Sequence, residues 1–263
     1  MGSAEDHGLQ DEFQALRESQ ENIPLYSRYD RPRLPTVEEL ARLPSGVMAK
    51  IIPPREREMV EGLIIVLHDH GGNESPLMEF AQEHLRPKHT ACLLLRGVVA
   101  IEGRENSYQW ESNSDTFLRT SRLLLEELIR RYLIQECKFP PGKIIIFGQG
   151  EGGEAGLLTF LRWESIEFGG VICVGGRLIA HVTLPEDTKS KTPVLLLGGA
   201  LGITTPTAKN QIEEYFSYVD DDLLPAREDD LPMGKQLKTL RAFFAHRLQE
   251  EEWTQPAIIT FGM

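Results

Sequence analysis

Cysteine is scarce in this chain: Cys92, Cys137 and Cys173 are the three in 263 residues, and no CxxC pair occurs. A zinc knuckle and a dithiol redox motif are therefore excluded by pattern. Cys92 and Cys173 lie inside apolar runs and read as small core residues rather than reactive thiols. Long apolar runs are missing too. None approaches the ~18 residues that span a bilayer, and the polar N-terminus lacks the apolar region of a secretory signal. The expected compartment is the cytosol or the nucleus. Basic charge is also in short supply, with 28 Lys and Arg against 40 Asp and Glu and a formal charge of −12. A phosphate backbone is bound by a basic face, so nucleic acid is not an expected partner. No motif calls for a cofactor. In His68-Asp69-His70 adjacent residues of an extended chain point to opposite faces, which argues against a metal site. The acidic clusters at 220–222 and 228–230 lack the spacing of a calcium loop and read as solvated.

What is present divides into two parts. Residues 1–45 read as a polar N-terminal arm, punctuated by Pro24, Pro32, Pro35 and Pro44. A short helix is expected around 9–19, with Leu9, Phe13 and Leu16 on one face, either packed on the domain or presented to a partner. Residues 46–263 read as one domain. Strands are expected at 47–52, 63–67, 91–95, 143–147, 171–174 and 194–197. Several are continuous aliphatic runs, as parallel strands covered on both faces require. Helical periodicity separates them, as in 115–133, where Phe117, Leu124, Leu128 and Tyr132 share a stripe. This alternation implies βαβ units and a mainly parallel sheet flanked by helices, an α/β fold. Residues 219–233 break the pattern, and a strand there is expected to be absent or badly weakened. A last helix at 234–249 and a short strand at 256–263 close the reading.

One turn stands out. Ile144-Ile145-Ile146-Phe147-Gly148-Gln149-Gly150-Glu151-Gly152-Gly153 runs from a strand through four glycines into a helical segment, 154–163. This is the context of the nucleophile elbow, in which Gly-x-Ser-x-Gly presents a serine on a strained turn. Here the central residue is Gly150, which has no atom with which to attack a carbonyl.

Residues 47–248 resemble the acyl-protein thioesterase and carboxylesterase branch of the α/β-hydrolases, through several pieces in order. Leu67-His68-Asp69-His70-Gly71-Gly72-Asn73-Glu74 is similar to that family's "LHGxGGNE" loop. Arg96-Gly97 followed by Trp110 is similar to "PRG…W". Pro140-Pro141-Gly142-Lys143-Ile144 leading into Gly148–Gly153 is similar to "PxRI…GxSQGG". Phe168-Gly169-Gly170-Val171 with Gly175-Gly176-Arg177-Leu178, and Thr192-Pro193-Val194-Leu195-Leu196-Leu197-Gly198-Gly199, are similar to the next two strand motifs. The resemblance implies an α/β-hydrolase fold for 46–263 and a groove formed by His68, His70, Gly71, Trp110 and Glu151, part of it an oxyanion hole.

The same resemblance places the family's Ser, Asp and His at Gly150, Gly202 and Lys235. None of these can fill its role: glycine brings no nucleophile and no acid, and a lysine near its ordinary pKa of ~10.4 is a cation that accepts no proton. Glu151 supplies the second oxyanion amide, and its carboxylate would repel an oxyanion if turned inward. As a substitute nucleophile Glu151 lies one position beyond the apex. Ser107, Ser112 and Ser114 lie near the groove by analogy but have no recognisable base. The expected function is that of a catalytically inactive carboxylesterase-like or thioesterase-like protein, with a protein partner bound through the groove or residues 1–45. The alternatives are an active ester or thioester hydrolase with displaced catalytic residues, and a sensor that holds an acyl-like small molecule without cleaving it.

Overall fold

Six aliphatic runs become strands within two residues of their expected positions. The computed structural model describes residues 31–43, 48–56, 59–110, 115–161, 163, 166–176, 178, 189–199, 206–224 and 231–249. The helix expected at 9–19, the strand expected at 256–263 and Gly202 lie outside the described residues. Contacts divide the chain between Asp30 and Arg31. Residues 31–43, assigned to the arm by composition, fall with the larger unit: Leu40 and Leu43 are buried and the Arg33 N–H donates to the Cys137 carbonyl at 2.9 Å. The short helix α1 (Val37–Leu40) starts on a capping box between Thr36 and Glu39, which satisfies two otherwise orphaned donors.

The sheet holds β1 (Ala49–Ile52), β2 (Gly62–Leu67), β3 (Thr90–Leu95), β6 (Ile144–Gln149), β7 (Gly170–Val174), β8 (Val194–Gly199) and β9 (Val219–Leu224). Its order is β1-β3-β2-β6-β7-β8-β9, and every pair is parallel except β1 with β3. A two-stranded ribbon, β4 (Val99–Ala100) with β5 (Tyr108–Gln109), stands beside it. Every residue of β2, β3 and β7 is buried, so each strand is covered on both faces. One face packs on α2 (Glu74–His84) and α6 (Lys235–Leu248) through Leu77, Phe80, Leu240, Phe244 and Leu248. Over β6 and β7 lies α4 (Glu151–Leu161), next to α3 (Asp115–Glu127). Helix α5 (Pro206–Tyr215) precedes β9.

Two expectations are corrected. The helical stripe at 115–133 is α-helical only to Glu127 and continues as a π-helix, Leu128–Glu136. More consequentially, the acidic run at 220–222 is no loop. It forms β9, paired in parallel with β8 from Val194↔Val219 to Gly199↔Leu224. The strand closes one end of the sheet, where polar residues facing water cost little. Asp222 alone turns inward and is buried. Its carboxylate accepts from Lys235 Nζ at 3.0 Å and Thr239 Oγ1 at 2.5 Å, while Gln236 Nε2 donates to the Asp222 and Gly198 carbonyls, both at 2.7 Å. No helix among the described residues is long and apolar enough to cross a membrane.

Candidate functional site

Because β2 and β6 are parallel neighbours in the register Leu67↔Gly148, the segments that follow them emerge side by side. These are the carboxyl ends of central strands, where open α/β sheets place their sites. The approach is close. A Cβ at Gly148 would lie 2.3 Å from the Gly152 carbonyl, and one at Gly152 would lie 2.6 Å from the Leu67 and His68 carbonyls. Glycine at both positions lets the first turn of α4 rest against two strand ends.

The loop after β2 is held from within. His68 is buried; its Nδ1–H donates to the Asp69 carbonyl at 2.7 Å, and its Nε2 accepts the Gly97 N–H at 2.8 Å. Those two bonds fix the neutral tautomer. Burial also pushes the His68 pKa below its ordinary value. Trp110 packs its ring 5.3 Å from His68 and donates Nε1–H to the His68 carbonyl at 2.8 Å. Gly71, at φ +74°, donates its N–H to the Tyr108 carbonyl at 2.9 Å. Below the loop, the buried Glu74 takes a two-pronged bond from Arg96 at 2.7 and 2.8 Å and an ion pair from Lys50 at 3.2 Å. Burial alone would raise the Glu74 pKa, but these cations outweigh it and bring it to about 2.

Gly150 sits at the apex of the turn with φ +50°, in left-handed territory. The space where a side chain would project is filled. A Cβ on Gly150 would lie 1.7 Å from Asp69 Oδ1 and 2.2 Å from Asp69 Cγ. The same Oδ1 accepts two backbone amides, His70 N–H at 2.6 Å and Glu151 N–H at 3.0 Å. By the resemblance, those are the donors that would receive a developing oxyanion.

Glu151 is engaged elsewhere. Its Oε1 meets His70 Nδ1 at 2.8 Å, and its Oε2 accepts the Trp110 N–H at 3.2 Å. The charge that faces the amides is thus the Asp69 carboxylate, a residue that sequence reasoning passed over as a site residue. A signal for it was present: Asp69 stands where the "LHGxGGNE" loop carries its first glycine. The resemblance places His70 and Glu151 in one groove, but nothing in the sequence marks the direct bond between them across 81 positions. His70 is half exposed, and its Nε2 has no hydrogen-bond partner among the described residues.

Lys235, largely exposed, opens α6 and pairs with Asp222 on β9. Ser107 donates to the Glu105 carbonyl at 3.4 Å within its own loop; Ser112 and Ser114 lie outside the described residues. Among the described residues no cluster of three or more His, Cys, Asp or Glu side chains is arranged to hold a metal ion. The cavity bounded by Trp110, Ser121, Glu151 and Ala155 encloses only about 10 Å³. A larger cavity, about 740 Å³, opens elsewhere, between Arg31–Leu34 and Pro53, Pro54, Met59, Val60 and Glu61.

No family model matches this chain. An uncharacterized hydrolase of Mycosarcoma maydis is 26% identical over 154 residues, which cover 54% of this chain and 58% of that protein, so the match spans less than two thirds of the relative's length. Among solved structures, esterase PE8 superposes with a TM-score of 0.63 at 18% identity, over 76% of this chain and 99% of that one. A Bacillus cereus carboxylesterase gives 0.61 at 14% identity, over 79% and 98%. SOBER1 of Arabidopsis thaliana gives 0.58 at 16% identity, over 72% and 100%. The fold is therefore the α/β-hydrolase fold that these structures share.

Proposed function

We propose that this protein is a non-hydrolysing member of the α/β-hydrolase fold that works by binding a protein partner. The observation that carries the reading is the pairing of Gly150 with Asp69. The apex offers no nucleophile, and a carboxylate lies where the nucleophile's side chain would be. In serine hydrolases loss of the triad lowers turnover by about 10⁶. The amides would not rescue what remains. Both are already taken by Asp69 Oδ1, and at an effective dielectric of ~20 two negative charges ~3 Å apart repel by about 5–6 kcal/mol, which offsets most of the ~3–4 kcal/mol that each amide would contribute. Asp69 therefore works against the transition state that this turn serves in an esterase.

A binding role through a surface is favoured over an acyl-ligand sensor. Small-molecule sites enclose about 300–1,000 Å³; among the described residues the space beside Glu151 is far smaller, and the cavity of about 740 Å³ is lined by none of the residues of this turn. The proposed partner-binding elements are the groove and residues 1–45. Affinity capture comparing the full chain with one lacking residues 1–30 assigns the role between them: a partner held by both forms belongs to the domain.

The chemical part of the proposal predicts inertness. A fluorophosphonate probe is expected to leave the folded protein unlabelled, and p-nitrophenyl acetate to be hydrolysed no faster than by a denatured control. Stoichiometric labelling of one serine, lost on its change to alanine, is the result that sinks it. A second reading, an active hydrolase with displaced residues, is favoured by the His70–Glu151 pair. With Nδ1 held by the Glu151 carboxylate, Nε2 is left without a partner among the described residues, and an imidazole oriented in this way can activate water. That reading requires measurable ester hydrolysis that disappears in His70→Ala.

A further inference from the structure

We propose that Asp69 is a resident ligand of the oxyanion hole, an autoinhibitory contact that keeps an otherwise intact anion site occupied. The inference rests on the non-hydrolysing reading above and gives it a physical cause. Two backbone amides from different elements, His70 N–H after β2 and Glu151 N–H at the start of α4, converge on one oxygen, Oδ1 of Asp69, at 2.6 and 3.0 Å. Convergence of this kind is the geometry of an oxyanion hole, with donors at ~2.7–3.1 Å from the charged oxygen.

The peptide that carries Asp69 is itself fixed. Its carbonyl accepts His68 Nδ1–H at 2.7 Å and the Gly72 N–H at 3.0 Å, so the side chain is aimed by its own turn. The amides do not depend on Asp69 for their placement. Glu151 N belongs to a helix seated on β6 and β7, and His70 belongs to a loop held by Gly71, Gly72 and Tyr108. Asp69 is exposed, so removing its carboxylate vacates the site without opening the core. The vacated site would take the oxygen of a carboxylate or of an acyl carbonyl. The native one is filled from within.

Amide resonances of isotopically labelled full-length protein test this, with octanoate as the probe. In Asp69→Ala the His70 and Glu151 amides are expected to shift on substitution and then to move with octanoate concentration. The affinity should be at least tenfold above that of the wild type. In the wild type these two amides should not respond. Asp69→Asn, nearly the same shape but neutral, should move both resonances upfield, because a charged acceptor makes the stronger bond; it also serves if Asp69→Ala does not fold. Equal octanoate binding by wild type and Asp69→Ala overturns the proposal. So does an unchanged pair of amides in Asp69→Asn, or a vacated site in Asp69→Ala that ignores octanoate. The two proposals fail separately: probe labelling of a serine in the wild type refutes inertness and leaves the occupancy of these amides untouched.

Discussion

At the scale of single residues, two positions have exchanged bulk relative to the motifs that the chain resembles. The turn has glycine at 150 where a serine is expected, and the preceding loop has aspartate at 69 where a glycine is expected. The geometry makes them one change in two places, because the Asp69 carboxylate fills the volume that a side chain at 150 would need. Gly150→Ala should therefore destabilise by about 1–3 kcal/mol, combining a left-handed φ with displacement of the exposed Asp69 carboxylate from its two amides. Adding Asp69→Gly should recover the part due to that displacement and leave the backbone part. Thermal unfolding of the single and double variants measures both, and a double variant no more stable than the single one would show that the two positions do not share that space. Gly150→Ser alone should not acylate with an activated ester. Lys235, the residue aligned with the family's base, is bound to Asp222. The position of Gly150 at the apex of the turn was legible in the sequence, because an aliphatic run, a Gly-x-Gly-x-Gly frame and a helical segment in succession mark such a turn. The gain at 69 was not weighed, since an aspartate between two histidines first raises the question of metal.

Among elements, β9 shows where pattern reading fails. Three consecutive aspartates destroy the period-2 alternation that marks a half-buried strand, and nothing local reveals that the strand lies at the end of the sheet. There, only Asp222 has to be satisfied, and α6 satisfies it. Its carboxyl pKa is pushed up by burial, but the Thr239 and Lys235 bonds outweigh this and lower it. Thr239 and Lys235 should contribute unequally. Lys235 is largely exposed, and exposed ion pairs contribute about 0–1 kcal/mol. Asp222→Ala should cost about 1–2 kcal/mol through the lost hydrogen bonds, and Lys235→Ala clearly less. Chemical denaturation of both variants checks the order, and a larger loss for Lys235→Ala would contradict it. The parallel strands were legible because their aliphatic runs admit no exposed face. The switch from α to π winding at Leu128 left no mark in the hydrophobic stripe.

For the whole molecule, acid is the natural stress. Glu74 falls from 4.5 in its ordinary state to about 2 in the fold, so its contribution is complete above about pH 4.5 and is lost as pH falls toward 2. Glu39, also brought to about 2, by the Arg33 hydrogen bond, and Asp222, likewise lowered, act in the same sense. His68, held neutral by burial, adds an earlier loss beginning below its ordinary 6.5. Unfolding midpoints should therefore drop first below about pH 6.5 and again below about pH 4.5. Glu74→Gln should flatten part of the second fall, and a stability that rises between pH 6.5 and 3 would refute the scheme. The mainly parallel sheet was readable from sequence because alternating aliphatic strands and helices imply βαβ units. The contacts that define the site were not, since His70 and Glu151 meet across 81 positions. That separation bears on the path to the native state as well. β2 finds β6 in the register Leu63↔Ile144, so a large loop must close before the central pair exists, and such pairings fold slowly. Until they do, two aliphatic strands have unpaired edges, and the contact between Asp69 and the start of α4 has no scaffold. A nascent chain would carry those sticky edges through synthesis, and its dependence on chaperones would be set by the time that closure takes.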